Sequence, residues 1–503
     1  MSEQAYLAVD LGASGGRVLA GRFDGRRIRL DELHRFENGP VTVAGRMHWD
    51  VLRLWSEICH GLRAAADQLG DQVRSVGVDT WGVDFALLCR DGNLVGNPVH
   101  YRDHRTDGIL EKAFRQVSRD EIFAHTGLQF MQFNTLYQLL AMRLAKSRLL
   151  DVADSLLMMP DLFHWMLTGV KSNEFTNATT TQFYNPEREH WATDLLERFD
   201  LPVRILGDIV APGTRLGKLR ADVAADTGLA GVSAVLPGTH DTASAVMAVP
   251  ARGVAGAKPD WCYISSGTWS LMGVELPAPV INDRCRELNF TNEGGVGNTI
   301  RLLKNIGGLW LVQQCRAAWS REGQEYSWED LNRLSAAAQP LAALVDPDDA
   351  RFLAPSDMPA AIAEYCRQTG QAPPQAPGEF VRCALESLAL RYRQALGWLE
   401  SLTGGPIRTM HIVGGGTQNK QLCQATADAC RRLVIAGPVE ATALGNAMMQ
   451  AVSAGDVVSI AEARDVIRHS CAVEEYEPCD DRDSWDAAFD RFCSLTGAAD
   501  EVS

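Results

Sequence analysis

The chain has 503 residues, 46% hydrophobic and 22% charged; this is the balance of a globular protein, and it is too long for one ordinary core, so two large domains are expected. A formal net charge of -15 argues against a nucleic-acid partner, which needs clustered Lys and Arg, but leaves a small phosphorylated substrate open. No secretory signal opens the chain and no run reaches the roughly 20 apolar residues of a bilayer span, so a cytoplasmic location without a membrane partner is expected.

Tyr6 to Asp10 reads as a short apolar strand and Leu11 to Gly16 as a tight turn rich in Gly and Ser. Arg17 to Phe23 and Ile28 to Phe36 are the next two strands. Val51, Leu54, Trp55, Ile58, Leu62, Ala65, Ala66 and Leu69 recur at helical spacing, and Gly70 ends that helix. Val73 to Asp79 is again a strand, and Asp84 to Val95 reads as a hairpin turning at Asp91-Gly92. Residues 100–240 hold helices and polar loops, an insertion suited to shaping a substrate site. Ala248 to Asp260 is the linker candidate. Beyond it the opening order recurs. Trp261 to Ser265 and Trp269 to Val274 are strands around Ser266-Gly267-Thr268, Glu379 to Leu402 is a long amphipathic helix, and Thr409 to Val413 is a strand running into Gly414-Gly415-Gly416. Helix, strand and helix then follow over 419–431, 433–436 and 440–454. Two Gly hairpin turns, each opening a mixed strand and helix unit, suggest an internal duplication. The twelve cysteines include no C-x-x-C pair, so free thiols are expected. Cys366 and Cys383, which flank a Pro-rich loop, could lie close together.

Four motifs carry chemistry. Asp10 to Arg17 (DLGASGGR) is a turn small enough to present backbone N–H groups to an anion, with Asp10 at the strand end placed to hold magnesium through water. A plain hairpin with a solvated Asp is the alternative. Ser265 to Thr268 (SSGT) is a second such turn, and a polyphosphate could be clamped between the two. In HDTASA, Asp241 enters a helix among small residues; phosphoryl transfer to a hydroxyl needs one carboxylate to take its proton, while an ordinary helix cap is the bland reading. Gly414 to Asn419 (GGGTQN) lets a flat ring such as adenine approach the backbone, or is merely a sharp turn. Trp81 to Asp84, Tyr101 to Arg105 and Lys304-Asn305, which is read as preceding a helix, are candidates for a polyol, which binds through paired polar groups beside an aromatic wall; taken singly, each reads more simply as a solvated loop or a core Trp. Gly213 to Leu219 is no Walker loop, having one residue too few and Leu in the Ser/Thr place.

DLGASGGR, VDTWGVDF (78–85), HDTASA, SSGTWSLMG (265–273) and HIVGGGTQN (411–419) together resemble the FGGY carbohydrate kinases. Within that family, YRDHRT, NTLYQL, MPDLFHWMLTG, TNATTTQ, TNEGG and GPVEATALGN are most similar to the branch acting on L-rhamnulose. The likeness runs from about residue 6 to about 455. It implies an α/β fold of two actin-like (ribonuclease H-like) domains with an interdomain cleft for ATP and sugar. Residues 1–247 would form the sugar side with the first phosphate turn, 248–455 the adenosine side, and 456–503 an acidic peripheral segment. It implies transfer of the γ-phosphoryl of ATP to the 1-hydroxyl of L-rhamnulose, with Mg2+ as cofactor. ATP and the sugar are the expected partners, and a monomer or small homo-oligomer is expected, the sequence leaving the oligomeric state open. Asp241 matches the catalytic base. Gly82, His240, Thr242 and Asn305 match sugar-contacting positions. Ala13, Ser14, Gly15, Gly16, Arg17, Thr268, Gln313 and Gly415 match nucleotide-contacting positions, and Asp10 the acidic residue near the metal. Gln313 comes from the resemblance alone. Where the family's first turn often carries a second Ser or Thr, this chain has Gly15; its backbone donors survive the change. A kinase of another ketose or polyol, such as fuculose or xylulose, and a non-catalytic actin-fold sugar sensor are the alternatives.

Overall fold

The computed structural model describes residues 3–252, 256 and 258–497. It divides into two compact units, one comprising Met1–Ala257, Glu275–Leu302 and Glu440–Cys471, the other Lys258–Val274, Leu303–Val439 and Ala472–Ser503. Most of the linker candidate is described, but its residues 253–255 and 257 lie outside the described residues.

In the first unit, β1 (Gln4–Leu11), β2 (Gly15–Phe23) and β3 (Ile28–Glu37) form an antiparallel meander. Ala5 to Val9 are fully buried, as an unbroken apolar run on a central strand should be. The helix α1 (Val51–Leu69), capped by the Asp50 side chain on the Arg53 N–H, turns its Val51, Leu54, Ile58, Leu62, Ala65 and Leu69 face inward and returns the chain. β4 (Val73–Thr80) can then run parallel to β1. β5 (Arg215–Lys218) and β6 (Ser233–Val235) complete a six-stranded sheet in the order β5-β6-β4-β1-β2-β3. Behind β6 follows α2 (Asp241–Met247).

One expectation shifts. Asp91-Gly92 does turn, with the Gly92 N–H on the Cys89 carbonyl and the Val95 N–H on the Leu87 carbonyl, each at 2.9 Å. The returning arm makes only a single bridge, between Leu88 and Leu94. The ladder partner of Phe85–Leu88 is instead Ser155–Met158, buried strand against buried strand.

In the second unit, β7 (Trp261–Ser266) and β8 (Trp269–Leu276) are antiparallel, β9 (Ile300–Gly307) flanks β8, and β10 (Thr409–Val413) runs parallel to β7. α3 (Trp310–Arg321), α4 (Pro377–Thr403) and α5 (Lys420–Cys430) surround them. β11 (Leu433–Ala436) is parallel to β10 and β12 (Glu474–Tyr476) antiparallel to β11, giving the order β9-β8-β7-β10-β11-β12 within a seven-stranded sheet whose other edge, next to β9, is the short strand Thr291–Gly294. The six follow the order β3-β2-β1-β4-β6-β5 of the first sheet. The hairpin β7/β8 answers β1/β2, the parallel neighbours β10 and β11 answer β4 and β6, and an antiparallel edge strand closes each. The duplication is one of topology, and two such sheets make the fold actin-like.

The chain's last helices divide between the units. α6 (Ala441–Ala454) and α7 (Ile460–Ser470) belong to the first, and α8 (Arg482–Thr496) to the second. Composition alone reads 456–503 as an acidic cap, yet α7 buries Ala463 and Ile467 and pairs Arg464 with Glu275 at 2.5 Å. Trp485, Ala488, Phe489 and Phe492 of α8 form a buried stripe at helical spacing. All twelve thiols are free, and those of Cys366 and Cys383 are hydrogen-bonded neighbours, the pair the Pro-rich loop brings together. No helix among the described residues is long and apolar enough to cross a membrane.

α6 lies against α2 with no room between them. A Cβ on Gly445 would stand 1.8 Å from the Ser244 carbonyl oxygen. We expect Gly445→Ala to cost about 1–3 kcal/mol or more through overpacking. Thermal unfolding checks this, and an unchanged melting temperature would show that the two helices part freely.

Candidate functional site

Parallel pairing lines up acids at one end of the first sheet. Asp10 of β1 stands in register with Asp79 of β4, and Leu11 with Thr80. Thr80 continues the pairing onto His240, its N–H donating to the Thr239 carbonyl at 2.9 Å. Asp10, Asp79 and Asp241 are thereby gathered by backbone alone, and each is felt electrostatically by its neighbours. Across the β1/β2 hairpin, Arg17 faces Asp10. Its Nη2 lies 2.6 Å from Asp10 Oδ2, and its Nη1 2.5 Å from Glu440 Oε2.

The three carboxylates differ in environment. Asp79 is fully buried; its Oδ2 accepts from Asn446 Nδ2 of α6 at 2.5 Å, while its Oδ1 has no hydrogen-bond partner. Burial and the neighbouring Asp10 push the Asp79 carboxyl well above the usual range. Asp241 opens α2 with 32% of its side chain exposed. Its Oδ1 accepts the Thr242 N–H at 2.6 Å and the Thr242 hydroxyl at 3.2 Å, and His240 Nε2 lies 3.3 Å away. Among the described residues no hydrogen bond reaches its Oδ2. Burial raises the Asp241 carboxyl above its ordinary value; His240 and the Thr242 donors pull it down, and Asp10 adds to the rise.

The segment before Asp241 is pinned from below. The buried Glu174 accepts from the Thr239 N–H at 3.1 Å and the Thr239 hydroxyl at 2.6 Å, and the His240 N–H donates to Thr176 Oγ1 at 3.1 Å.

The first turn is closed by the Gly12 N–H on the Gly15 carbonyl at 2.8 Å and held by Asn38, whose Nδ2 donates to the Gly12 carbonyl at 2.8 Å. Ala13 and Ser14 form its tip. Gly16 has a steric reason, since a Cβ there would meet the Phe36 ring at 2.3 Å. Gly15 has none, since its nearest neighbour would be 3.5 Å away, so glycine there is a choice the fold does not force. Gly82 lies two residues past the Thr80–His240 bridge, and a Cβ on it would press Thr180 at 3.0 Å.

Asp84 joins the two polar loops expected on the sugar side. It accepts from Trp49 Nε1 at 2.6 Å, Trp81 Nε1 at 3.0 Å, the Tyr101 N–H at 3.2 Å and Gln138 Nε2 at 2.9 Å. Burial pushes its carboxyl up to about 6 against the pull of these donors. The Trp49 ring centroid lies 4.0 Å from that of Trp81 and 4.1 Å from that of His100, a stack buried in the core. His104 stands outside it, exposed and paired with Asp107.

The second unit holds the remaining candidates. In the β7/β8 turn, the Gly267 N–H donates to the Trp269 carbonyl at 2.8 Å, and Thr268 Oγ1 to Gln313 Oε1 of α3 at 3.3 Å. Gln313 is thus tied to the second turn, a contact no local spacing reveals. A Cβ on Gly415 would meet nothing within 4 Å, whereas one on Gly416 would strike Ser266 Oγ at 2.0 Å; the open side of the glycine run is Gly415. Asn305 lies within β9 rather than just before a helix, since α3 starts five residues later.

Comparison with known proteins identifies the family. Residues 5–248 match the N-terminal domain, and 262–454 the C-terminal domain, of the FGGY family of carbohydrate kinases. A rhamnulokinase of Bacteroides thetaiotaomicron is 44% identical over 490 residues, covering 97% of this chain and 99% of its own. One of Bacillus subtilis is 40% identical over 475 residues, covering 94% and 96%. Among solved structures, a xylulose kinase from Lactobacillus acidophilus superposes with a TM-score of 0.79 at 14% identity, covering 99% of both chains, a likeness of fold. Two matched domains, and relatives aligned over nearly the whole length, place the chain in the FGGY family of carbohydrate kinases.

Proposed function

We propose that this carbohydrate kinase transfers the γ-phosphoryl group of ATP to the 1-hydroxyl of L-rhamnulose, giving L-rhamnulose 1-phosphate in rhamnose catabolism. The observation that carries the reading is Asp241, with Oδ1 engaged and Oδ2 unengaged, in a chain 38–44% identical to curated rhamnulokinases. The hydroxyl proton passes to Asp241 Oδ2 as the sugar oxygen attacks the γ-phosphorus in line and ADP leaves. Gly82, His240, Thr242 and Asn305 contact the sugar. Ala13 to Arg17, Thr268, Gln313 and Gly415 contact the nucleotide, the first unit serving the sugar and the transferring end, the second the adenosine.

The residues present fit a magnesium ion. Arg17 pairs with Asp10 and Glu440 and not with Asp79 or Asp241, Asp79 Oδ1 has no partner, and hard oxygen donors are what Mg2+ takes. Asp10 would hold it through water, and the bound ion would neutralise charge on the phosphates. Within this reading the enzyme works in the cytoplasm, where ATP is available, as a monomer or small homo-oligomer with no nucleic-acid or membrane partner.

Asp241→Asn should lower kcat about 1,000-fold while leaving ADP affinity by calorimetry unchanged; turnover near wild type removes Asp241 from the chemistry. Because the base must be ionised and its pKa is raised, kcat/KM should fall on the acid side at a pH above the ordinary Asp value of about 3.9. A pH–rate profile locates that limb, and one sitting at the ordinary value would mean a base with no burial. In a panel of ketoses, kcat/KM for L-rhamnulose should exceed that for L-fuculose and D-xylulose at least about tenfold; a better rate on either assigns the site to another sugar.

A further inference from the structure

Behind His240 lies a buried ion pair that the transfer chemistry does not itself require. Arg301 is fully buried and Glu293 nearly so. The guanidinium is fixed by its Nε on the Gly294 carbonyl at 2.8 Å. Its Nη2 then lies 3.2 Å from Glu293 Oε2 and 3.1 Å from His240 Nδ1. Glu293 Oε2 is itself 3.3 Å from Nδ1. A neutral imidazole has one donor and one acceptor, so these contacts select between two tautomers.

A proton on Nδ1 would serve Glu293 but point at a guanidinium that can only donate. It would also turn the Nε2 lone pair toward Asp241 Oδ1 at 3.3 Å, lone pair against carboxylate. A proton on Nε2 gives Arg301 Nη2 an acceptor and Asp241 a donor; the Nδ1 lone pair and Glu293 Oε2, 3.3 Å apart, are then bridged by Nη2, and Arg301 Nη1 has no partner among the described residues in either tautomer. One Nη2 hydrogen goes to Glu293, the other to Nδ1, and Nε2–H faces Asp241.

We infer that Arg301 and Glu293 are positioning residues that hold His240 as its Nε2–H tautomer, so that His240 donates to Asp241 Oδ1 and leaves Oδ2 for the sugar hydroxyl. The carboxylate then has both Thr242 donors and the imidazole on one oxygen, which fixes its rotation. Glu293 keeps the guanidinium in place, and the guanidinium keeps Nδ1 an acceptor. The inference rests on Asp241 being the base, but the tautomer can be read without any turnover.

The test is nitrogen NMR of the full chain labelled at histidine, with His240→Asn identifying the His240 signals among the eleven histidines. The expected result is a bare Nδ1 and a protonated Nε2. A proton on Nδ1 in the wild type overturns the inference, whatever the enzyme's substrate proves to be. The second arm is Glu293→Gln combined with Arg301→Met, which removes both buried charges together rather than stranding one. In that folded variant His240 should populate both tautomers, and kcat should fall about 10- to 100-fold with KM for ATP unchanged. An unchanged tautomer, or a changed tautomer with wild-type kcat, overturns the positioning role. Failure to phosphorylate L-rhamnulose at all would instead count against the substrate reading and leave the spectroscopic result standing.

Discussion

The structure depends first on the parallel pairing of β1 with β4. It sets Asp10 beside Asp79, and through Thr80 it carries the register on to His240 and Asp241. A slip of one residue would turn every side chain of β4 to the other face and scatter the acids. The slip is opposed from both sides, since all of β1 from Ala5 to Val9 and of β4 from Ser75 to Thr80 is buried, and Asn446 and Gln450 of α6 bond to Gly77, Asp79 and Leu7. Gathering carboxylates costs folding energy, because buried like charges repel. Asp79 is where that cost is most visible, with one oxygen bonded and the other bare.

The second dependence is on donors that hold carboxylates in place without neutralising them. Asp84 is surrounded by indole, amide and backbone N–H groups, Glu174 by hydroxyls and backbone N–H groups, and Asp241 is held by the N–H and hydroxyl of Thr242. Hydrogen bonds of this kind keep a buried acid fixed and available as an acceptor. Around Asp84, two polar loops and an aromatic stack are accordingly tied to one carboxylate.

Most of the regular structure was legible because the chain's periodicities are clean. The meander, α1, both glycine turns and the strand entering Gly414 lie where the apolar spacing and the turn residues put them, to within a residue or two at their ends. The misses share a cause. The 84–95 hairpin and the register that pairs Asp10 with Asp79 depend on strands far apart in the chain, about which local spacing is silent. Both strands end in Asp, which was the signal available for Asp79. Glu293 sat unread within TNEGG, and Arg301 looked like one more strand residue. Gln313 was reached through family likeness only, since its bond to Thr268 spans 45 residues. The acidic tail was misjudged by its composition, when the stripe from Trp485 to Phe492 was already written at helical intervals.

The place of α6 in the first unit has a consequence for synthesis. The helix begins at Ala441, yet it supplies Asn446 to Asp79 and backs the short helix bearing Asp241. A nascent chain that has left the ribosome only as far as the end of β6 lacks that wall entirely. The opening half therefore cannot mature by itself and must wait, partly built, until its closing helix emerges some two hundred residues later.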